Sequence, residues 1–152
     1  MNVLFLDYDG VINTPMWDEK KQKIRYNLPE DGKVNNFQAV QWISYFCKKN
    51  NYSIVVSSSW REEDNYEECL RNGGLWKDIE VIGITPSLQD NRQEEIEQWI
   101  SEHPEVENYL IVDDLCYKRF DLDHFIECDS HIGFTYREYL KAEQLHQKTK
   151  EE

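Results

Sequence analysis

A chain of 152 residues with 39% hydrophobic and 13% aromatic content is long enough to bury its own core without metal or disulfide staples, which excludes a disordered acidic tail. Its 17 Lys and Arg stand against 30 Asp and Glu, a formal net charge of −13. A duplex nucleic-acid surface therefore meets a repulsive field, and nucleic acid is disfavoured, though not excluded, as a partner unless a local basic patch overcomes that field.

The N-terminus carries no basic region, and its apolar run stops at Asp7, so nothing marks it for export. Mean hydropathy is −0.79, and no window approaches the ~18 apolar residues of a membrane span. Cys47, Cys69, Cys116 and Cys128 form no CxxC pair, and the expectation is reduced packing thiols in a soluble, cytoplasmic protein. None is followed by Arg six positions on, which excludes a cysteine-nucleophile phosphatase of the C-x5-R type.

The first element is Val3-Leu4-Phe5-Leu6, a continuous apolar run of the kind found in strands buried on both faces of a parallel sheet. The gap from Thr14 to Lys33 holds the one concentrated basic stretch, Lys20-Lys21-Gln22-Lys23-Ile24-Arg25, expected as a solvated hairpin. Phe37, Val40, Ile43 and Cys47 then recur at helical spacing, and Ser53-Ile54-Val55-Val56 is a second strand. Ser59 with Glu62 forms a capping box that opens a further helix. Glu80 to Ile84 is a weaker strand, and Asp90 with Gln93 is a second capping box, ahead of a helix whose apolar face is Ile96, Trp99 and Ile100. Tyr109-Leu110-Ile111-Val112 and Phe125-Ile126-Glu127-Cys128 complete the strands. Thr135 with Glu138 caps a C-terminal helix that frays into the polar tail Gln147 to Glu152. Strand and helix alternate throughout, which predicts a three-layer, Rossmann-like α/β fold with a mostly parallel central sheet, as one domain over residues 1–152.

In such sheets ligands gather beyond the carboxyl ends of the strands. The first run delivers Asp7-Tyr8-Asp9-Gly10-Val11, the second Ser57-Ser58-Ser59-Trp60-Arg61, and the third Asp113-Asp114. Four carboxylates in one crevice repel each other unless a cation sits among them, and Mg2+ is the hard divalent ion normally shared with phosphate. The serines and the following helix N-terminus offer donors suited to an anion. Together these describe phosphoryl transfer through an aspartyl-phosphate. Taken singly, the Asp pair also reads as an Asx-turn and the Ser run as a capped strand-helix turn.

The same residues carry a resemblance to the haloacid dehalogenase-like (HAD) superfamily of Mg2+-dependent aspartate-nucleophile phosphatases. Asp7-Tyr8-Asp9-Gly10-Val11 resembles its first motif, DxDG(T/V), a strand-end Ser its second, Arg92 its lone basic third, and Asp113-Asp114 its acidic fourth. Val56 to Arg61, Arg92 to Ile96 with Trp99, and Gly133-Phe134-Thr135 are further similar to the small HAD domains of RNA-repair proteins.

The resemblance implies Asp7 as nucleophile and Mg2+ ligand. Asp9 would be the general acid and base, with its carbonyl on the metal. Asp114 and Asp113 would be metal ligands, and Arg92 would neutralise the phosphoryl oxygens. Ser59 is engaged as a cap, so Ser58 is the chosen phosphate-binding serine, with Ser57 kept open. The family's cap domains are inserted after the first motif or between the second and third, and none fits the gap from Thr14 to Lys33 or that from Arg61 to Asp90; an open site admits bulky phosphorylated ends of proteins or nucleic acids. The reading is a phosphomonoester hydrolase acting on a phosphorylated substrate. Its alternatives are a polynucleotide 3′-end phosphatase and an idle phosphate-binding or partner-binding module.

Weaker claims attach to Arg61, which could reach the phosphate, and to Trp17, Trp60 and Trp76, which could stack a ring but more often pack. Lys118 and Arg119 balance the acidic pair. His103, His124, His131 and His146 show no metal-ligand spacing.

Overall fold

Five strands, β1 (Asn2–Leu6), β2 (Tyr52–Val56), β3 (Val81–Ile84), β4 (Asn108–Asp113) and β5 (Phe125–Glu127), lie in the order β3-β2-β1-β4-β5, every neighbouring pair parallel. The computed structural model describes residues 1–30, 35–59, 65–88, 91–115 and 120–151. Among these, the helices are α1 (Glu19–Arg25), α2 (Phe37–Asn50), α3 (Tyr66–Asn72), α4 (Arg92–Ser101) and α5 (Tyr136–Glu151). None is long and apolar enough to cross a membrane.

The pleat sends alternate residues of the central strands to opposite faces. Leu4 and Leu6 of β1, Ile54 and Val56 of β2 and Leu110 and Val112 of β4 pack with Val40, Ile43 and Cys47 of α2 and Ala142 and Leu145 of α5. Val3, Phe5, Val55 and Ile111 face the other way, onto Ile96 and Trp99 of α4. Both faces are covered, which is why these strands read as unbroken apolar runs. The chain builds outward from β1 to β3, then returns to place β4 on the other side of β1. The β1/β4 boundary is thus the switch point at which such sheets open a crevice.

Two local expectations are corrected. The basic stretch Lys20 to Arg25 is a helix, α1, and not a hairpin. Asp18 caps it by accepting from the Lys21 N–H at 3.1 Å, with Glu19 in its first turn and Lys23 and Arg25 in its last. Those charges complement the helix dipole. At α4 the capping residue is Asn91, whose side chain accepts from Glu94 N–H at 3.1 Å, and Gln93 turns away to Glu97 at 3.0 Å. Asp90 lies outside the described residues, as does Glu62 of the box at Ser59. The third box is present: Glu138 accepts from Thr135 N–H at 2.8 Å and from its hydroxyl at 2.7 Å, while Arg137 N–H donates to that hydroxyl at 3.2 Å.

Candidate active site

Asp7 is the first residue past β1, and its N–H donates to Val112 O on β4 at 3.0 Å. Asp113 ends β4, and its carbonyl accepts from Cys128 N–H at 2.9 Å. By strand alternation both carboxylates continue the row of Phe5 and Ile111, on the face covered by α4. The first residue of α4 is Arg92. Its Nη1 donates to Asp113 Oδ2 at 2.8 Å and to Ser57 O at 2.7 Å, and lies 3.3 Å from Asp7 Oδ1. One guanidinium therefore ties the ends of β1, β2 and β4 together.

Asp7, Asp113 and Asp114 each offer a carboxylate oxygen within 4.8 Å of the others. Burial pushes the Asp7 carboxyl well above the ordinary carboxylate range, and the charges of Asp113 and Asp114 push further. Arg92 and a hydrogen bond from Ser58 oppose this. Asp113 is also raised, again chiefly by burial, against Arg92 and the Leu115 N–H. Burial works against the Arg92 charge, but Asp7 and Asp113 outweigh it and hold its pKa above the usual value. Three carboxylates, two of them paired with one guanidinium, leave a surplus of negative charge in a poorly solvated place. Hard oxygen donors with such a surplus fit a divalent cation like Mg2+.

Gly10 makes room for this cluster. It has φ +81°, and a β-carbon there would collide with the Asp114 carboxylate. Around it, Tyr8 O accepts from the N–H groups of Val11, Ile12 and Asn13 at 3.1, 2.9 and 2.9 Å. That single turn presents Asp9. Of the four strand-end acids, the structure groups three, while the Asp9 side chain is exposed and accepts from Asn13 Nδ2 at 3.2 Å. Asn13 Oδ1 accepts in turn from Nδ2 of fully buried Asn35 at 2.8 Å.

The serines divide. The Ser58 hydroxyl bonds Asp7. Ser57 gives its carbonyl to Arg92, and its own buried hydroxyl has no partner among the described residues. Asn13 and Asn35 were not foreseen, since lone amides carry no spacing signature. Glu95, fully buried one turn along α4 from Arg92, accepts from Leu88 N–H at 2.7 Å. Its three-residue spacing from Arg92 was the available signal.

The weaker candidates lie elsewhere. Trp60, Arg61, Lys118 and Arg119 are outside the described residues. Trp76 donates from its indole to Gln41 at 2.8 Å, a packing role. His103 stacks on Trp99, His124 on Tyr109, and His146 meets the Tyr52 hydroxyl at 3.0 Å. No histidine joins a metal-binding group among the described residues.

No curated protein and no solved structure matches the chain. Residues 3–139, however, match the family model described as the HAD domain in Swiss Army Knife RNA repair proteins. With nearly all of the strands, the acidic cluster and Arg92 inside that span, the chain belongs to this family of HAD domains.

Proposed function

We propose that the protein is a Mg2+-dependent phosphomonoester hydrolase that works through a phosphorylated Asp7, with phosphorylated nucleic-acid ends as its substrate class. The observation that carries the reading is the convergence of Asp7, Asp113 and Asp114 on one side of Arg92 at the β1/β4 boundary. The family's description as a domain of RNA-repair proteins supports the substrate class.

Asp7, Asp113 and Asp114, with the Asp9 carbonyl, would hold the Mg2+, which when bound supplies charge neutralisation to the phosphoryl group. An Asp7 oxygen attacks phosphorus, and the bond from phosphorus to the leaving oxygen breaks. Asp9 gives that oxygen its proton. Asp9 then takes a proton from water as the water attacks the phosphorus, and the bond from phosphorus to Asp7 breaks, releasing inorganic phosphate. Arg92 and the Ser58 hydroxyl both contact Asp7 and would offset the charge of the phosphoryl oxygens. Exposure of Asp9 suits its part, because it must meet both leaving group and water. Burial of Cys47, Cys69 and Cys128 in the core is consistent with a cytoplasmic setting.

The test is phosphate release from an aryl phosphate and from a 3′-phosphorylated oligonucleotide, with and without Mg2+, beside Asp7→Asn. The reading expects Mg2+-dependent release that Asp7→Asn abolishes, fastest from the oligonucleotide. Release that survives in Asp7→Asn would overturn the mechanism, and faster release from small esters would overturn the substrate class.

A further inference from the structure

A pocket of about 250 Å³ opens at the same end of the sheet as Asp7, between α1, α2 and the loop after β5. Met16 and Trp17 come from the segment after β1, Gln22 from α1, Gln38 and Trp42 from α2, and Phe134 from the loop that precedes α5. The segment after β1, the N-terminal end of α2 and the loop after β5 all lie towards the carboxyl end of the sheet. Asn36, also in the lining, donates from its backbone to Ile12 O and from Nδ2 to the Thr14 hydroxyl. The pocket wall is thereby bonded to the turn that presents Asp9.

The lining has a definite chemistry. It holds two indoles and the amides of Gln22, Asn36 and Gln38, with no charged side chain among the described residues of the lining. A metal or a phosphate would find no countercharge in that described lining. A flat, neutral, hydrogen-bonding ring finds aromatic faces and amide partners. The volume is below the roughly 300–1,000 Å³ that takes a drug-sized ligand, so it suits one ring system. Trp17 Nε1 and Gln22 Oε1 are buried with no partner among the described residues, a donor and an acceptor left over on two residues of the lining. Such groups are costly unless something satisfies them.

Charge adds an independent pointer. In a chain of net charge −13, Lys20, Lys21, Lys23 and Arg25 fall within one six-residue stretch, and α1 carries them beside the pocket. Lys20, Lys21 and Arg25 are exposed, and Arg25 sits over the Tyr26 ring at 5.6 Å. These cations offer a strand of phosphates a favourable approach to this acidic molecule, along α1.

We infer that the pocket between Trp17 and Trp42 receives the base of the nucleotide whose phosphate reaches Asp7, with the rest of the strand running over the cations of α1. The inference rests on the reading of the protein as a nucleic-acid-end phosphatase. It makes small phosphate esters poorer substrates than a nucleotide end, for want of a base and a strand to anchor, and it requires an unpaired end, since a base in a duplex cannot enter.

The experiment titrates Asp7→Asn protein, labelled at the indole nitrogens, with a 3′-phosphorylated single-stranded tetranucleotide and with the same strand lacking its terminal base. The base-bearing strand should bind about tenfold more tightly, the order of one base stacked on an aromatic side chain, and should move the Trp17 and Trp42 indole signals. Trp17→Ala should collapse the tenfold ratio, and Gln22→Ala, a milder change, should reduce it. Equal affinities with unmoved indoles, while backbone signals around Asp7 respond, would overturn the pocket assignment and leave the phosphatase reading standing. A tenfold ratio that persists in both variants would likewise overturn the pocket. Failure of both strands to bind would overturn the substrate class and this inference together.

Discussion

Asn35, buried completely, donates from Nδ2 to Oδ1 of Asn13 at 2.8 Å. Asn13 reaches Asp9 from its other amide atom at 3.2 Å, so the exposed acid is held in place from the core. Replacing Asn13 by Ala should lower kcat about tenfold with little change in KM, the size expected when a catalytic acid loses its orientation. Asn35→Ala should show the same kinetic loss and also cost about 1–3 kcal/mol in urea unfolding, because it leaves a cavity and an unsatisfied amide. An unchanged kcat in both variants would detach the amide chain from catalysis.

Arg92 is the only cation among the described residues that bonds both Asp7 and Asp113. Arg92→Ala should reduce kcat/KM by about 100- to 1,000-fold, the scale on which a preorganised charge stabiliser acts. Arg92→Lys should recover only part of it. A lysine ammonium is a point charge on a flexible stem and cannot serve two carboxylates and the Ser57 carbonyl in the same fixed plane. Steady-state kinetics on the three proteins checks this ordering.

The raised carboxyls give a pH signature. Folded Asp7 holds its proton up to about 8, against 3.8 for the ordinary group. Between those values the folded state binds more protons than the unfolded state, so stability of the metal-free protein falls as pH rises through that window. Asp113, raised to about 6, acts with the same sign. Mg2+ needs the deprotonated carboxylates, so its stabilisation should be larger at pH 8 than at pH 5. Thermal melts at both pH values, with and without Mg2+, read this directly. A metal-free melting temperature that climbs from pH 5 to pH 8 would contradict it.

Gly10→Ala tests whether Asp114 belongs to the metal cluster. The new β-carbon would displace the Asp114 carboxylate, and φ +81° would add about 1–2 kcal/mol of backbone strain. Both Mg2+ affinity and phosphate release should fall steeply in a protein that still folds. Calorimetry with Mg2+ separates the two losses, and an unchanged Mg2+ affinity would remove Asp114 from the cluster. At Gly133, φ +82°, a β-carbon would meet the Val11 carbonyl. Gly133→Ala should therefore destabilise the loop that lines the pocket between Trp17 and Trp42.

The strands could be read from the sequence because both faces of the sheet are covered, so Val3 to Leu6 and Tyr109 to Val112 show unbroken apolarity. Helix α1 could not. It has no buried residue and one exposed apolar side chain, Ile24, so neither helical nor strand periodicity is written into it. Its formation depends on the Asp18 cap and charge placement. The cap of α4 was misplaced by one residue because Asp90 and Asn91 are adjacent and chemically equivalent as caps. Strand-end positions were enough to bring Asp7, Asp113 and Asp114 into one group, though they placed Asp9 with them, and the family resemblance supplied Arg92. They could not reveal Asn13 and Asn35, whose bond spans 22 residues of sequence. Nor could they show the two-indole pocket, which exists only once α1 is folded against α2.

The central claim is that the Asp7 carboxylate becomes phosphorylated. Borohydride added during turnover of a phosphomonoester in Mg2+ reduces an acyl phosphate to an alcohol, and so would convert a phosphorylated aspartate to homoserine. Mass spectrometry of the peptide carrying residue 7 should find homoserine there, dependent on both substrate and Mg2+. Phosphate release with residue 7 unmodified, or with the modification on another acid, would contradict the account.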